Sequence, residues 1–151
     1  MLFLPEVDDE VVLQFINEAP CHPVIVGSLY SRKRKTPVSL DPKNNLKTIV
    51  TKNQLKITLD DDKKIITIGT PGENTLILDD DKKQILLSDA NKNKVCMDKN
   101  GIMVESGKDL IFKARGNVKT EGMGIESKSK QDTKINGLNI EVSAQMGVKV
   151  N

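Results

Sequence analysis

The sequence predicts an all-β chain whose longer part completes its core only by winding with two further copies into a three-sided prism. Three observations carry this. Apolar and polar residues alternate with period two through most of the 151 residues, as in Leu55-Lys56-Ile57-Thr58-Leu59 and Leu138-Asn139-Ile140-Glu141-Val142. Such alternation describes strands with one dry face and one wet face. Strand-sized pieces recur at fixed spacing. Finally, hydrophobic residues make up 37% and aromatics 3%, with no Trp, which is too little for an ordinary monomeric core.

The first zone, residues 1–30, holds two apolar runs, Val11-Val12-Leu13-Gln14-Phe15-Ile16 and Pro23-Val24-Ile25-Val26-Gly27-Ser28-Leu29-Tyr30. Pro20-Cys21-His22-Pro23 lies between them and forces a turn, because each Pro fixes φ and removes a donor. A hairpin follows. Only the stretch from Val11 to Ala19 leaves room for a helix. The second zone, 31–45, opens with Ser31-Arg32-Lys33-Arg34-Lys35-Thr36-Pro37 and reads as a charged, solvated connector.

In the third zone, 46–105, Leu59-Asp60-Asp61-Asp62-Lys63-Lys64 recurs 19 residues later as Leu78-Asp79-Asp80-Asp81-Lys82-Lys83 (78 − 59). Met97-Asp98-Lys99-Asn100-Gly101 is a third, looser copy. Each copy is strand, polar turn, strand, with short carboxylates suited to bonding turn amides. In the last zone, 106–151, the period shortens. Pairs fall at Leu110/Phe112, Val118/Thr120, Ile125/Ser127, Thr133/Ile135, Ile140/Val142 and Val148/Val150, seven or eight residues apart. Glycines and asparagines mark many of the corners between them.

A strand of about five residues offers two or three inward side chains, so one chain winding with this period encloses almost nothing. Its edges would also expose unpaired amides and carbonyls. Interleaving three copies about one axis answers both problems. The expected axial core is Leu110, Phe112, Val118, Ile125, Ile135, Leu138, Ile140, Val142, Val148 and Val150.

Composition and motifs speak against several function classes. Lys+Arg is 23 against Asp+Glu 21, so net charge does not favour nucleic acid, and the basic run lacks aromatic companions. No nucleic-acid partner is expected. The first residues show neither a basic n-region nor a long apolar h-region, so no secretory leader is expected. Cys21 and Cys96 are far apart and form no CxxC, so reduced thiols are expected. His22 is the only histidine, and neighbouring Cys21 and His22 side chains are not expected to face each other as nucleophile and base. The Asp triplets lack the D-x-D-x-D-G alternation of a calcium loop, and lysines adjoin them. No metal, cofactor or enzymatic activity is expected.

Leu4-Pro5-Glu6-Val7-Asp8-Asp9-Glu10-Val11 with Pro23-Val24-Ile25-Val26-Gly27-Ser28-Leu29-Tyr30 resembles the end of the OB-fold in the VgrG and phage baseplate-assembly spike family. Asp8 stands where that family usually has Gly. Thr70-Pro71-Gly72-Glu73-Asn74-Thr75-Leu76, Asp89-Ala90-Asn91-Lys92-Asn93-Lys94 and Lys99-Asn100-Gly101-Ile102 resemble its proximal β-helix. The runs from Leu110 resemble its distal needle. The resemblance implies an OB-fold remnant over 1–30, then an intertwined triple-stranded β-helix, in a homotrimeric spike that pierces a target membrane. It implies a PAAR-repeat tip protein contacting Val150 and Asn151, effectors as cargo, and tail-tube and baseplate proteins bound through an amino-terminal hub absent from this sequence. It places the chain in the bacterial cytoplasm when assembled in the machine, and has it secreted or injected into the target cell on firing. The carboxyl end lacks a His-x-His motif, so no apical iron is expected. The shaft of another trimeric fibre or adhesin is the alternative.

Overall fold

The computed structural model describes residues 4–148. Their regular structure is nine β-strands and one short 3-10 turn. Two compact units are present, 1–111 and 112–151.

The first unit begins with an antiparallel ribbon of β1 (Glu10–Phe15) and β2 (Pro23–Leu29). A bulge between Val12 and Leu13 leaves Val26 without a partner in the register and twists the pair. The chain leaves β1 through the 3-10 turn Ile16–Glu18, where Asn17 and Glu18 have φ of 53° and 58°. Left-handed backbone cannot propagate a right-handed helix, so the helix conceivable over 11–19 is absent. The His22 amide donates to the Ala19 carbonyl at 3.0 Å, and the Ile16 amide donates to the His22 carbonyl at 3.1 Å, closing the reversal.

Seven strands of five residues follow: β3 (Leu46–Val50), β4 (Lys56–Asp60), β5 (Ile65–Gly69), β6 (Thr75–Asp79), β7 (Gln84–Ser88), β8 (Lys94–Asp98) and β9 (Gly101–Glu105). They pair in sequence order as one antiparallel meander. Each strand there finds its partners within its own chain, in one open sheet. The physical reason lies in the turns, which are tight enough to reverse the chain at every strand end.

Those turns repeat with the sheet. On one side, Asp41, Asp60, Asp79 and Asp98 open successive turns at 19-residue intervals. Each carboxylate accepts an amide from its own turn: Lys43 at 3.2 Å, Lys63 at 3.0 Å, Lys82 at 2.9 Å and Asn100 at 2.7 Å. On the other side stand Thr51, Thr70 and Asp89, again 19 apart, with Thr51 and Asp89 accepting amides of Leu55 and Asn93 at 3.2 and 2.9 Å. Nearly every turn ends on a residue with positive φ: Asn44, Gln54, Lys64, Glu73, Lys83 and Lys92. A side chain in that region costs about 1–2 kcal/mol, so the recurrent carboxylate caps have a definite strain to offset.

From Ser106 onward no strand or helix is formed among the described residues. The backbone instead bends at 107–108, 115–116, 122–123, 130–131, 138 and 145–146, every seven or eight residues, and runs without a further bend between. A strand requires a hydrogen-bonded neighbour, and within one chain these runs have none.

Candidate assembly interface

The isolated chain is far more exposed than a compact monomer of its size. It presents 14702 Å² to solvent. A compact monomer of 16.7 kDa would present about 7,600 Å². Among the described residues Cys96, 5% exposed, is the only buried apolar side chain.

The meander's register locates the deficit. Residues paired across an antiparallel sheet share a face. One row reads Lys47, Leu59, Ile66, Leu78, Ile85, Met97, Ile102, and the next on the same face reads Ile49, Ile57, Ile68, Leu76, Leu87, Val95, Val104. Apart from Lys47 this face is entirely apolar, and no described residue covers it: Ile68 is 42% exposed, and most of its neighbours are comparably open. On the opposite face, the outer rows carry Asp60, Asp79, Asp98, Lys56 and Lys94 beside Leu46, Val50 and Ile65, and the row between them reads Thr48, Thr58, Thr67, Ile77, Leu86, Cys96, Met103. One face is therefore almost wholly apolar and open, and the other is mixed in polarity and better covered, holding Cys96 and Asp79, each 5% exposed. A continuous patch of this kind marks an interaction site. None of its residues was singled out from the sequence as a site, although the alternation in each strand carries the signal.

The pairs expected on a common axis occupy the runs between bends. Leu110 is 51% exposed, and Phe112, Val118, Ile125, Ile135, Ile140, Val142 and Val148 are all exposed, each lying between two bends or beyond the last. The single chain brings none of them together. Leu138 is placed differently. It sits on a bend and is fully exposed, as are Met123 and Met146 at other corners, so it belongs to the corner set and not to the flanks of a run. Val150 and Asn151 lie outside the described residues.

The remaining chemical groups are engaged locally. Cys21 Sγ lies 3.2 Å from His22 Nδ1, so these adjacent side chains do meet, contrary to expectation. The tight turn points both outward, but His22 has no further side-chain hydrogen bond among the described residues to orient it. The turn aspartates are caps. The Lys82 amide donated to Asp79 holds that carboxyl below its usual 3.8, helped by the Lys82 ammonium 3.2 Å away. The Asn93 amide does the same for Asp89. Among the described residues no group of three or more His, Cys, Asp or Glu is arranged to hold a metal ion. The basic segment is also less free than a solvated connector. Arg34 forms an ion pair with Asp9, and Ser31 Oγ accepts the amides of Lys33 and Arg34.

The ribbon β1–β2 lies within a segment that is similar to a known domain. Residues 1–30 match the family model of the type VI secretion system/phage-baseplate injector OB domain. The match ends where β2 ends and does not reach the meander. It connects the amino-terminal segment to baseplate injectors, while the apolar face lies entirely outside it. No curated protein matches the chain.

Proposed function

We propose that three copies of this chain join through the uncovered faces and the bent runs into a rigid β-column, the spike of a contractile injection system of type VI secretion or phage-tail kind. The column pierces a target membrane and carries a tip protein and effectors. The observation that carries this reading is the apolar face spanning all seven strands of the meander, in a chain whose first 30 residues match an injector OB domain. Three such sheets, open apolar faces inward, make a three-sided shaft with the mixed face outside, its Asp and Lys flanking a row that runs from Thr48 to Met103. Beyond Ser106, bends every seven or eight residues carry each copy around the axis, so every run pairs with runs of its neighbours. Hydrogen bonds then lie along the axis, and an axial load is shared among many of them.

In this role the chain is structural and performs no catalysis. The OB segment holds the spike to tail-tube and baseplate proteins through an amino-terminal hub, and the end at Val150 and Asn151 receives a PAAR-repeat tip. The machine is assembled in the bacterial cytoplasm, and the spike leaves on firing. Light scattering on the purified chain tests the assembly: three times 16.7 kDa gives about 50 kDa. A monodisperse monomer overturns the proposal. A trimer that captures a PAAR-repeat protein supports the spike, and a trimer that binds a cell-surface receptor instead identifies a fibre.

A further inference from the structure

We propose that charges on the outer side of the bent runs form a ladder between copies, and that this ladder sets the stagger at which one copy of the chain lies against the next. The proposal rests on the column described above and concerns how its chains find their register.

In a straight run the residue between two inward side chains points to the opposite side. Run by run these residues are Ile111, Lys119, Glu126, Lys134 and Glu141, and in sequence Lys149 continues the series outside the described residues. After Ile111 the sign alternates at every step. A second series two residues further on, Lys113, Glu121 and Lys128, alternates as well. All the described members of both series are exposed, and bends separate successive members. No strand pairing within the chain brings one run beside another, so contacts within a single copy do not account for an alternation spaced by seven or eight residues.

Threefold symmetry does account for it. All three copies place a given run at one height, on three different faces. Each copy climbs one strand spacing per run, so on any face the strand above a run is the next run of a neighbouring copy. Residues in corresponding positions then lie about 5 Å apart. Lys119 of one copy meets Glu126 of the next. Glu126 meets Lys134, and Lys134 meets Glu141. In the second series Lys113 meets Glu121, and Glu121 meets Lys128. Every such pair is of opposite sign.

A stagger of zero or two runs would set Lys on Lys and Glu on Glu throughout, and like charges directly opposite are destabilising. The charges therefore select among packings that the inward Val, Ile and Thr residues do not distinguish strongly. The contact of Lys128 Nζ with Glu126 Oε1 at 2.6 Å, both on the outer side of one run, leaves the second carboxylate oxygen of Glu126 for a neighbour.

The test is a mixing experiment with full-length chains. One is wild type. The other, isotope-labelled, reverses both series: K113E, K119E, E121K, E126K, K128E, K134E, E141K and K149E. Its own alternation is intact, so it forms trimers. Unfolded together and refolded at low ionic strength, the two segregate, and native mass spectrometry shows mixed trimers depleted at least about tenfold against statistical mixing. At about 1 M salt, where the Debye length is about 3 Å, the depletion shrinks. In the single variant Lys134→Glu, which places like charge on both sides, the trimer melts several degrees lower, whereas Lys134→Arg does not. Statistical mixing at low salt overturns the ladder while leaving the trimer standing, as does failure of the reversed chain to trimerise when the wild type does. A wild-type chain that stays monomeric overturns the column itself.

Discussion

Two isoleucines on neighbouring strands separate a chain that is complete by itself from one that is completed by copies. Ile68 in β5 lies on the apolar face and is 42% exposed in the isolated chain. Ile77 in β6 lies on the opposite face, in the row that begins Thr48, Thr58 and Thr67, and is the better covered of the two. If the isolated chain were the native state, Ile68→Ala would forfeit only a partly buried side chain. Fully burying an Ile is worth about 2–3 kcal/mol, so the loss would be about 1 kcal/mol. Ile77→Ala would then be the more damaging change. In the column the order reverses. Ile68 lies near the axis with three copies of itself at one height, and truncation leaves a cavity costing about 2–5 kcal/mol per copy. Ile77 keeps its present surroundings and its cost of about 1–2 kcal/mol. Urea unfolding followed by far-ultraviolet circular dichroism, repeated at several protein concentrations, measures both. The expected result is a much larger drop in midpoint for Ile68→Ala, with midpoints that rise with concentration because folding is linked to association. Concentration-independent midpoints with Ile77→Ala the worse variant would refute the reasoning.

Asp79→Ala removes the acceptor for the Lys82 amide and leaves Lys83 in its strained φ, so the melting temperature falls, whereas Asp81→Ala, in the same turn but not its cap, changes it little. Asp79 and Asp89 both have lowered carboxyl pKa values. Their stabilisation is therefore fully present above the ordinary carboxylate value near 3.8 and is lost as pH falls through the lower folded values. An acid titration followed by circular dichroism shows that loss only below about pH 4, and Asp79→Asn reduces it. Gly107→Ala forces a Cβ to within 2.4 Å of the Asn91 carbonyl, so the grip of Asn93 Oδ1 on the Gly107 amide (3.2 Å) and on Ser106 Oγ (3.0 Å) loosens and thermal stability drops. Cys21, exposed beside His22, reacts with Ellman's reagent in the native protein, and Cys96 reacts only on unfolding.

Period-two alternation revealed the strands well, because a side chain's face is fixed by counting. The positions of β1, β2 and all seven meander strands follow from it, and the 19-residue recurrence of Asp60 and Asp79 marks their turns. Pairing was less legible. Asp-Asp-Asp-Lys-Lys contains neither Gly nor Asn, so nothing in it announces the left-handed residue at Lys64 or Lys83 that lets the chain reverse and pair with itself. The two-row apolar face was hidden for the same reason: which alternating residues share a face depends on register, and register depends on those turns. Leu138 shows a finer limit. It is apolar and alternates with Ile140 and Val142, yet it falls on a bend, because the runs are seven or eight residues long and period two drifts out of phase at each corner. The contact between Cys21 and His22 likewise depends on the turn that orients them both.

The change of backbone habit near Ser106 has a consequence for how the proposed column comes apart. A meander is a blade, and three blades laid face to face can separate sideways once the contacts between them loosen. Runs that turn a corner every seven or eight residues wrap each copy around the other two, and wound chains cannot part by translation. They must unwind from a free end, crossing one another a run at a time. The two parts therefore differ in the route of their separation as well as in its free energy: the blades exchange partners readily, and the wound segment locks them in place. A shaft built this way holds together for as long as unwinding takes, even under a load that would part the blades alone.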